Sequence, residues 1–268
     1  MIPQYPMIGL VKMGNRVFPF SNIPMTGLLG RFFRNILRLI PKGTVMPILQ
    51  GPIKGYKWVV GSHTHGCWLG SYELEKQKLF YQMVPVGGVV FDIGAHVGFY
   101  TLLSVEKVGS RGKVVSFEPL PRNLEILKKH LKMNHCDTRV TLIEDAVAKK
   151  NGSKFFEVSP LSAGGHLNDN EGLKIQTVSL DELFFNELVP QPDLIKMDIE
   201  GGEFDALLGA NKLLSDHHPV IFLATHSCEI HRNCCKYLIS IGYELIPINS
   251  NTIENTDELI AIRKVGFK

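Results

Sequence analysis

One stretch decides the fold of this chain: Val89-Val90-Phe91-Asp92-Ile93-Gly94-Ala95-His96-Val97-Gly98-Phe99-Tyr100-Thr101. An apolar run ends at an acid, a turn of small residues follows, and a second apolar run begins with helical spacing. Gly94 permits a sharp turn and a close approach of ligand to backbone, and Gly98 permits tight packing of a helix on a strand. The stretch therefore predicts a buried strand, a ligand-binding turn and a helix whose free N–H groups attract an anion.

From Val86 onward, short apolar runs alternate with helical patterns. This alternation predicts an α/β fold, in which a mostly parallel sheet is covered by helices on both faces. Two runs near the C-terminus, Tyr243–Ile248 and Leu259–Arg263, are expected to form a final antiparallel pair. The other expected strands are Val89–Asp92, Lys113–Glu118, Val140–Glu144, Phe155–Val158, Leu173–Val178, Leu194–Asp198 and Val220–Thr225, and the expected helices are Val97–Lys107, Arg122–Asn134, Glu203–Ser215 and Glu229–Ile241.

The N-terminal part of the chain differs in texture, because frequent prolines interrupt it. They leave room for one amphipathic helix, at about residues 26–40, with Arg31, Arg34 and Arg38 on its polar face. Such a helix can lie on a membrane surface, dock on a partner or pack on the main domain. We expect residues 1–75 to form an N-terminal extension and residues 76–268 to form the α/β domain.

Composition excludes several classes of protein. The 268 residues are 44% hydrophobic and 21% charged, which is typical of a globular protein with a sizeable core. A net charge of +3, from 29 basic and 26 acidic residues, argues against a dedicated nucleic-acid binder. Five irregularly spaced cysteines suggest no disulfide framework and favour a reducing, cytoplasmic location. We expect neither a membrane-spanning segment nor a cleaved signal peptide, and the oligomeric state cannot be read.

The glycine turn discriminates between two ligands. A dinucleotide site needs a tight Gly-x-Gly, whereas here Ala95 and His96 follow Gly94 before the next glycine, Gly98. The acid that precedes the turn, Asp92, suits a ligand with an ammonium group. S-adenosylmethionine carries both an ammonium and a carboxylate, so the turn favours this cofactor over a nicotinamide dinucleotide. An ordinary strand-to-helix turn is the structural alternative.

Two further strand ends carry acids. Glu118, followed by Pro119, closes the strand after the turn, where a carboxylate can accept hydrogen bonds from both hydroxyls of a ribose. Asp145, followed by Ala146, ends the third strand, and the same geometry places it over an adenine. A solvated acid at the strand end is the alternative for Asp145.

The densest polar cluster follows the fourth strand, in Leu194-Ile195-Lys196-Met197-Asp198-Ile199-Glu200-Gly201-Gly202-Glu203. Alternation along a strand would place Lys196, Asp198 and Glu200 on one side, although Glu200 can already belong to the turn. Ligands of open α/β sheets bind at the carboxyl ends of the strands, so these groups are expected at the reacting centre. The alternative is that Lys196 and the acids merely pair with each other.

Taken together, these motifs resemble the FkbM-type methyltransferases, a branch of the class I S-adenosylmethionine-dependent enzymes. The resemblance implies a Rossmann-like sheet of seven strands with a terminal antiparallel hairpin. It also implies methyl transfer to a hydroxyl oxygen of a sugar, a glycolipid or a secondary metabolite. The stretches that carry it are Phe91–Thr101, Ser116–Pro119, Asp145–Val147, Leu194–Gly209 and Ala224-Thr225-His226.

The resemblance also implies roles for single residues. Asp92 and the turn from Gly94 through Ala95 and His96 to Gly98 would hold the methionine part of the cofactor. Glu118 and Pro119 would lie at the ribose, and Asp145 and Ala146 at the adenine. Asp198 and Glu200 would flank the site of transfer, with Asp198 also near the cofactor.

A hydroxyl nucleophile gains from a nearby base, whereas the displacement itself mainly requires positioning. We expect His226 to be this base, since an imidazole titrates near neutral pH, with Asp198 orienting it or the substrate. Glu200 is a further candidate, and Lys196 is expected to lower the pKa of a neighbouring group. A capping or merely exposed histidine is the alternative for His226.

Two clusters of histidine and cysteine invite a metal interpretation, one at residues 63–67 and one at residues 226–235. Neither has the paired C-x-x-C spacing of a structural zinc site, so no metal is predicted. Magnesium held by Asp198 and Glu200 is the alternative. The stretch at residues 61–73 contains Trp68, Tyr72 and Glu73. We expect it to have a role at the site, by closing over the cofactor or lining the acceptor pocket. The alternative is that it forms a structural edge.

Several functions compete with transfer to a small-molecule, sugar or glycan hydroxyl. A nicotinamide-dependent oxidoreductase shares the turn but needs the missing Gly-x-Gly. A non-catalytic binding module would use the basic N-terminal helix, for example in a peripheral membrane contact. Such a module would not need the cluster around Lys196 and Asp198. A methyltransferase acting on protein is a further alternative, and one acting on nucleic acid would need a basic groove.

Overall fold

The computed structural model describes residues 37–158, 165–168 and 172–264, with backbone only at residues 157, 158 and 165–168. Residues 40–268 form one compact unit, and residues 37–39 are the described part of the other unit, residues 1–39. The amphipathic helix expected at about residues 26–40 lies largely outside the described residues. Within the described residues, no helix has the length and hydropathy needed to cross a membrane.

The expected strands occur in the expected order. The strands are β1 (Val45–Pro47), β2 (Lys57–Val59), β3 (Val89–Ile93), β4 (Lys113–Phe117), β5 (Val140–Ile143), β6 (Ala146–Val147), β7 (Gly152–Val158), β8 (Gly165–Asn168), β9 (Leu173–Val178), β10 (Leu194–Met197), β11 (Val220–Ala224), β12 (Tyr243–Pro247) and β13 (Glu258–Arg263). The helices are α1 (His65–Leu69), α2 (Leu74–Met83), α3 (Phe99–Val108), α4 (Pro121–Met133), α5 (Leu180–Phe185), α6 (Glu203–Leu208), α7 (Asn211–His217) and α8 (Cys228–Ser240), with short 3-10 turns at Asp137–Arg139 and Ile253–Asn255. The described residues thus also contain four strands and three helices that the sequence did not predict, which are β1, β2, β6, β8, α1, α2 and α5.

A seven-stranded sheet organises the fold, in the order β12-β13-β11-β10-β3-β4-β5. The five strands from β11 to β5 are parallel, whereas β13 runs antiparallel to both β11 and β12. The predicted α/β sheet with a terminal antiparallel hairpin is therefore confirmed. A separate four-stranded sheet, β6-β9-β7-β8, contains the two strands expected at Phe155–Val158 and Leu173–Val178.

Helices cover both faces of the large sheet, as its alternating side chains require. One face contributes Phe91, Ile195 and Leu223 to a core that also contains residues of α5, α6, α7 and α8. On the other face, Phe80 of α2 packs edge-on against Phe222, with ring centroids 5.5 Å apart. Burial of these apolar faces supplies the main driving force for folding.

The expected helix over Glu203–Ser215 is wrong, because two helices, α6 and α7, occupy this range. Gly209 separates them and lies against the backbone of Ala148, where an added Cβ would be 2.1 Å from the carbonyl oxygen. The carbonyl of Gly209 accepts hydrogen bonds from the amide of Asp181 and the hydroxyl of Ser179. A close backbone contact thus interrupts a pattern whose apolar spacing is continuous.

Residues 40–75 pack on the same unit as the sheet. The amide of Lys57 donates to Asn134 Oδ1 at 2.7 Å, and the amide of Val59 donates to His130 Nε2 at 3.0 Å. Trp58 stacks on the His130 ring, with centroids 4.0 Å apart. These contacts fix β2 on α4, while a domain boundary after residue 75 stays a prediction.

His130 makes this attachment sensitive to pH. Its Nδ1 lies 2.7 Å from the Val97 carbonyl and its Nε2 accepts from Val59, which requires the neutral ring. Burial lowers the pKa of His130 from 6.5 to about 4. Because the folded pKa lies below the unfolded one, this stabilisation is present above pH 6.5 and is lost as the pH falls toward 4, by up to about 3 kcal/mol.

We predict that His130→Gln flattens the dependence of the unfolding free energy on pH between 6.5 and 4. Urea unfolding at several pH values measures this slope, with the exposed His135→Gln as the control. An unchanged slope in His130→Gln would show that the buried ring does not couple folding to protonation.

Candidate functional site

A cavity of about 300 Å³ opens at the carboxyl ends of β3, β4 and β10. Its position agrees with the rule that ligands of open α/β sheets bind beyond these strand ends. Three of the predicted site residues, Asp92, Gly98 and His226, are not among the described residues that line it. The predicted residues that do line it are Gly94, Ala95, His96, Glu118, Pro119, Asp145, Ala146, Lys196, Asp198 and Glu200.

The Gly94 turn touches the end of β10. Gly94 has a φ of +79°, and a Cβ there would lie 2.0 Å from the carbonyl oxygen of Asp198. The amides of Gly94 and Ala95 both donate to the Phe117 carbonyl at 3.0 Å. Only a residue without a side chain fits this contact, so Gly94 fixes the floor of the cavity.

Asp92 does not point into the cavity, which corrects its expected contact with the cofactor. Its side chain is fully buried on the sheet face that α3 covers, where it accepts a hydrogen bond from Thr101 at 2.6 Å. Asp92 lies inside β3, one residue before the strand ends, and its carboxylate contacts Thr101 and Lys196. Burial raises the pKa of Asp92, and the nearby charge of Lys196 partly offsets this rise.

Lys196 connects the two strand ends. It is the direct neighbour of Asp92 across the pair β10 and β3, and its Nζ lies 3.6 Å from Asp92 Oδ1 and 3.7 Å from Asp198 Oδ2. The ammonium also donates to the Gly94 carbonyl at 3.2 Å. Lys196 therefore holds the turn and the end of β10 in place as well as lining the cavity.

Glu118 forms a buried acidic part of the wall. One carboxylate oxygen accepts from the amide of His96 at 2.8 Å, and the other accepts from the amide of Leu120 at 3.0 Å and from Asn123 Nδ2 at 3.1 Å. Burial raises the pKa of Glu118, while these three donors favour the ionised form. A carboxylate oxygen has more than one acceptor position, so hydroxyls of a ligand can still bind there.

Asp198 and Glu200 follow β10 in the loop, because the strand ends at Met197, one residue earlier than expected. Burial alone would raise the pKa of Asp198, but the positive charges of Lys196, Lys76 and His226 outweigh it and lower the pKa. Asp198 therefore stays ionised at neutral pH. Glu200 has a left-handed φ of +56°, and its carboxylate is about half exposed.

His226 faces three carboxylates. Its Nδ1 lies 2.7 Å from Glu203 Oε1, and its Nε2 lies 3.5 Å from Asp198 Oδ1 and 3.7 Å from Glu200 Oε2. The hydrogen bond to Glu203 is the largest influence on the pKa of His226 and raises it, burial opposes this, and the three negative charges add to the rise. The Glu203 contact assigns the proton to Nδ1 and leaves Nε2 toward the two cavity acids.

Glu203 is a site residue that the sequence analysis missed. Its side chain is fully buried, and Oε1 also accepts from the amides of Ile199 and Gly201. Gly201, with a φ of +109°, turns the chain so that the first residue of α6 points inward. The sequence indicates only that an acid begins a helix after two glycines, which by itself predicts a solvent-facing residue.

Part of the wall comes from residues that precede β3. His63 and Tyr72 line the cavity next to the turn, and Tyr100 and Phe156 belong to its apolar lining. The rings of His63 and His96 meet edge-on with centroids 4.9 Å apart. Of the two alternatives for residues 61–73, the structure favours a lining role, because His63 and Tyr72 line the cavity. Trp68, in contrast, is buried in α1 and donates to His65 Nδ1.

Members of the two histidine and cysteine clusters contact other protein groups: His65 Nδ1 accepts from Trp68, and Cys67 Sγ contacts the Thr64 hydroxyl. His231 contacts the Thr225 hydroxyl, the Ile253 carbonyl and Cys235 Sγ. All five cysteines are free, and burial raises the pKa of Cys67 to about 12. Among the described residues, no group of three or more His, Cys, Asp or Glu side chains is arranged to hold a metal ion.

Comparison with known proteins identifies a family. The model of the Methyltransferase FkbM domain matches residues 92–267. Hexuronic acid methyltransferase AglP of Haloferax volcanii is 30% identical over 146 residues, which cover 54% of this chain and 59% of that protein. The chain thus spans less than two thirds of this relative.

Two solved structures are also similar. The crystal structure of a methyltransferase FkbM from Methylobacillus flagellatus aligns with a TM-score of 0.49 and 20% identity, over 69% of this chain and 50% of that chain. An S-adenosylmethionine-dependent O-methyltransferase from Thermotoga maritima aligns with a TM-score of 0.48 and 13% identity, over 87% of this chain and 82% of that chain.

We predict that Gly94→Ala destabilises the protein more than Gly87→Ala. The two glycines have nearly the same φ, +79° and +77°, but a Cβ at Gly87 meets nothing within 4 Å. Both variants therefore carry the same backbone strain, of about 1–2 kcal/mol. The difference between their unfolding free energies measures the clash with Asp198. Equal losses in urea unfolding would contradict the close contact between the turn and β10.

We predict that Glu203→Gln lowers the pKa of His226, because the strongest partner of the protonated ring loses its charge. NMR titration of the histidine ring signals measures this pKa, with the exposed Glu229→Gln as the control. The folded pKa lies above the unfolded one, so the stabilisation is present below the unfolded value and is lost as the pH rises through the folded value. Titration at the same pH in wild type and Glu203→Gln would refute the assignment.

Proposed function

Because the chain belongs to the FkbM methyltransferase family, we propose that it transfers a methyl group from S-adenosylmethionine to a hydroxyl oxygen of a sugar or another small molecule. The observation that carries this proposal is the buried Glu118 carboxylate in the cavity wall, beside the Gly94 turn. An acid in this place suits the two hydroxyls of a ribose. The similarity to a hexuronic acid methyltransferase supports a sugar acceptor.

The cavity suits S-adenosylmethionine better than a dinucleotide. Gly94 and Ala95 leave the floor of the turn open, but the His96 side chain lines the cavity where a pyrophosphate would have to approach the backbone. Burial lowers the pKa of His96 to about 4, so its ring is neutral and supplies no charge to a phosphate. Asp145 and Ala146 line the same cavity and would hold the adenine.

The reacting end of the cavity carries Asp198 and Glu200. When bound, S-adenosylmethionine supplies an electrophilic methyl group next to these acids. Asp198, ionised at neutral pH, accepts a hydrogen bond from the acceptor hydroxyl and orients its oxygen. Lys196 keeps Asp198 in position through the contact at 3.7 Å.

His226 is the base in this proposal, and Glu203 positions it. The proton of the acceptor hydroxyl would move to His226 Nε2 while the hydroxyl oxygen takes the methyl group, the bond between that methyl carbon and sulfur breaks, and S-adenosylhomocysteine leaves. Nδ1 keeps its own proton in the hydrogen bond to Glu203, so the ring becomes a cation held among three carboxylates. The raised pKa of His226 makes its neutral ring a stronger proton acceptor, and the transfer requires that neutral form.

A cytoplasmic location is supported by the five free cysteines. Peripheral membrane contact through the helix at about residues 26–40 stays a prediction, as does an N-terminal extension that ends at residue 75.

Isothermal titration calorimetry with S-adenosylhomocysteine tests the cofactor. We predict micromolar binding that Glu118→Ala weakens at least about tenfold, because a charge-assisted pair of hydrogen bonds is lost. Glu125→Ala, an exposed acid on α4, is the matched control and is expected to bind like wild type. Binding of NADH in place of S-adenosylhomocysteine would contradict the proposal and favour an oxidoreductase.

A further inference from the structure

The cavity has a wall that lies outside the family domain. His63 and Tyr72 line it, whereas the family model begins at residue 92. The residues proposed to hold the cofactor, Glu118 and Asp145 among them, lie inside the matched region. The wall from the earlier residues therefore comes from a part of the chain that supplies none of the residues proposed to hold the cofactor, which leaves it available for the acceptor.

This wall is fixed by packing. The ring of His63 meets Tyr72 edge-on at 5.1 Å, and Tyr72 in turn meets Phe99 of α3 at 5.2 Å. The amide of Tyr72 donates to the Gly66 carbonyl at 3.1 Å. The next residue, Glu73, has a left-handed φ of +44° and accepts a hydrogen bond from Tyr100 at 2.7 Å.

The wall is polar but carries no charge at neutral pH. Burial lowers the pKa of His63. Burial raises the pKa of Tyr72, and the negative charges of Glu73 and Asp198 raise it further. Within the part of the chain that the structure describes, no hydrogen bond occupies either ring nitrogen of His63. The two side chains offer aromatic surface together with the free ring nitrogens of His63 and the hydroxyl of Tyr72, which also hydrogen-bonds Glu73. This combination suits a compound with both C–H faces and hydroxyls.

The charges around the wall oppose an acidic acceptor. Asp198 and Glu200 line the same cavity. Among the described lining residues the fixed positive charge is Lys196, and its ammonium already contacts Asp92, Asp198 and the Gly94 carbonyl. A carboxylate on the acceptor would be desolvated next to like charges, which is unfavourable.

We propose that His63 and Tyr72 bind the methyl acceptor, and that this acceptor is an uncharged polyhydroxylated compound, such as a neutral sugar. The inference rests on the proposed function, since it assigns the acceptor end of the same cavity. It departs from the acidic sugar named for the relative AglP.

Saturation-transfer NMR on the full chain, saturated with S-adenosylhomocysteine, tests this assignment. The probes are the methyl glycosides of glucose, galactose and mannose, each compared with the methyl glycoside of the matching uronic acid. We expect stronger saturation of the neutral member of a pair. We also expect the double variant His63→Ala/Tyr72→Phe to reduce this signal about threefold or more, because two hydrogen-bonding groups are lost.

His65→Ala is the matched control, since His65 belongs to the same segment but does not line the cavity. Calorimetry with S-adenosylhomocysteine first establishes that each variant is folded and has an intact cofactor end. If wild type fails to bind S-adenosylhomocysteine, the proposed function fails. If it binds, the acceptor assignment is overturned by saturation of none of the glycosides, by stronger saturation of the uronic acids, or by an equal loss in His65→Ala.

Discussion

The ammonium of Lys196 is the contact on which the site depends. It lies between the side chains of Asp92 and Asp198 and donates to the carbonyl of Gly94, so that one buried cation joins β3, its turn and the end of β10. A buried cation without such partners is unstable, and removal of one partner of a buried ion pair commonly costs about 3–5 kcal/mol. The buried carboxylate of Asp92 and the buried ammonium therefore require each other.

This contact sets the geometry of the cavity. Because Lys196 holds the Gly94 carbonyl, the turn stays close enough to Asp198 that no side chain fits between them. The same charge helps to keep Asp198 ionised at the reacting end. From there a chain of contacts runs through His226 to the buried Glu203, which connects a cavity acid to a residue of α6. The catalytic proposal thus depends on electrostatics that the strand ends establish.

Much of this fold could be predicted from the sequence, because local patterns determine it. Apolar periodicity predicted the seven strands of the large sheet, the sheet class and the final antiparallel pair, whereas the short strands β1, β2, β6 and β8 were missed. The turn residues located the carboxyl ends of β3 and β4. The break between α6 and α7 escaped prediction, since it arises from the contact of Gly209 with Ala148, which lies far away in the chain. Local pattern carries no information about such backbone approaches.

The candidate site was predictable in part for the same reason. Residues at strand ends, such as Glu118 and Asp198, line the cavity because the sheet brings those ends together. The inward direction of Glu203 depends on positive φ values in the preceding turn. The approach of Tyr72 to the cavity depends on the path that the chain takes before β3. The direction of Asp92 shows the opposite error, because an acid before a glycine turn resembles a ligand group even when it pairs with a buried lysine.

A crystal structure of the protein with bound S-adenosylhomocysteine would show how the cavity holds the cofactor. We predict that the ribose hydroxyls lie within hydrogen-bond distance of the Glu118 carboxylate, with the adenine beside Asp145 and the sulfur at the end of the cavity that carries Asp198 and Glu200. A nucleoside bound elsewhere, or bound in this cavity without contact to Glu118, would contradict it.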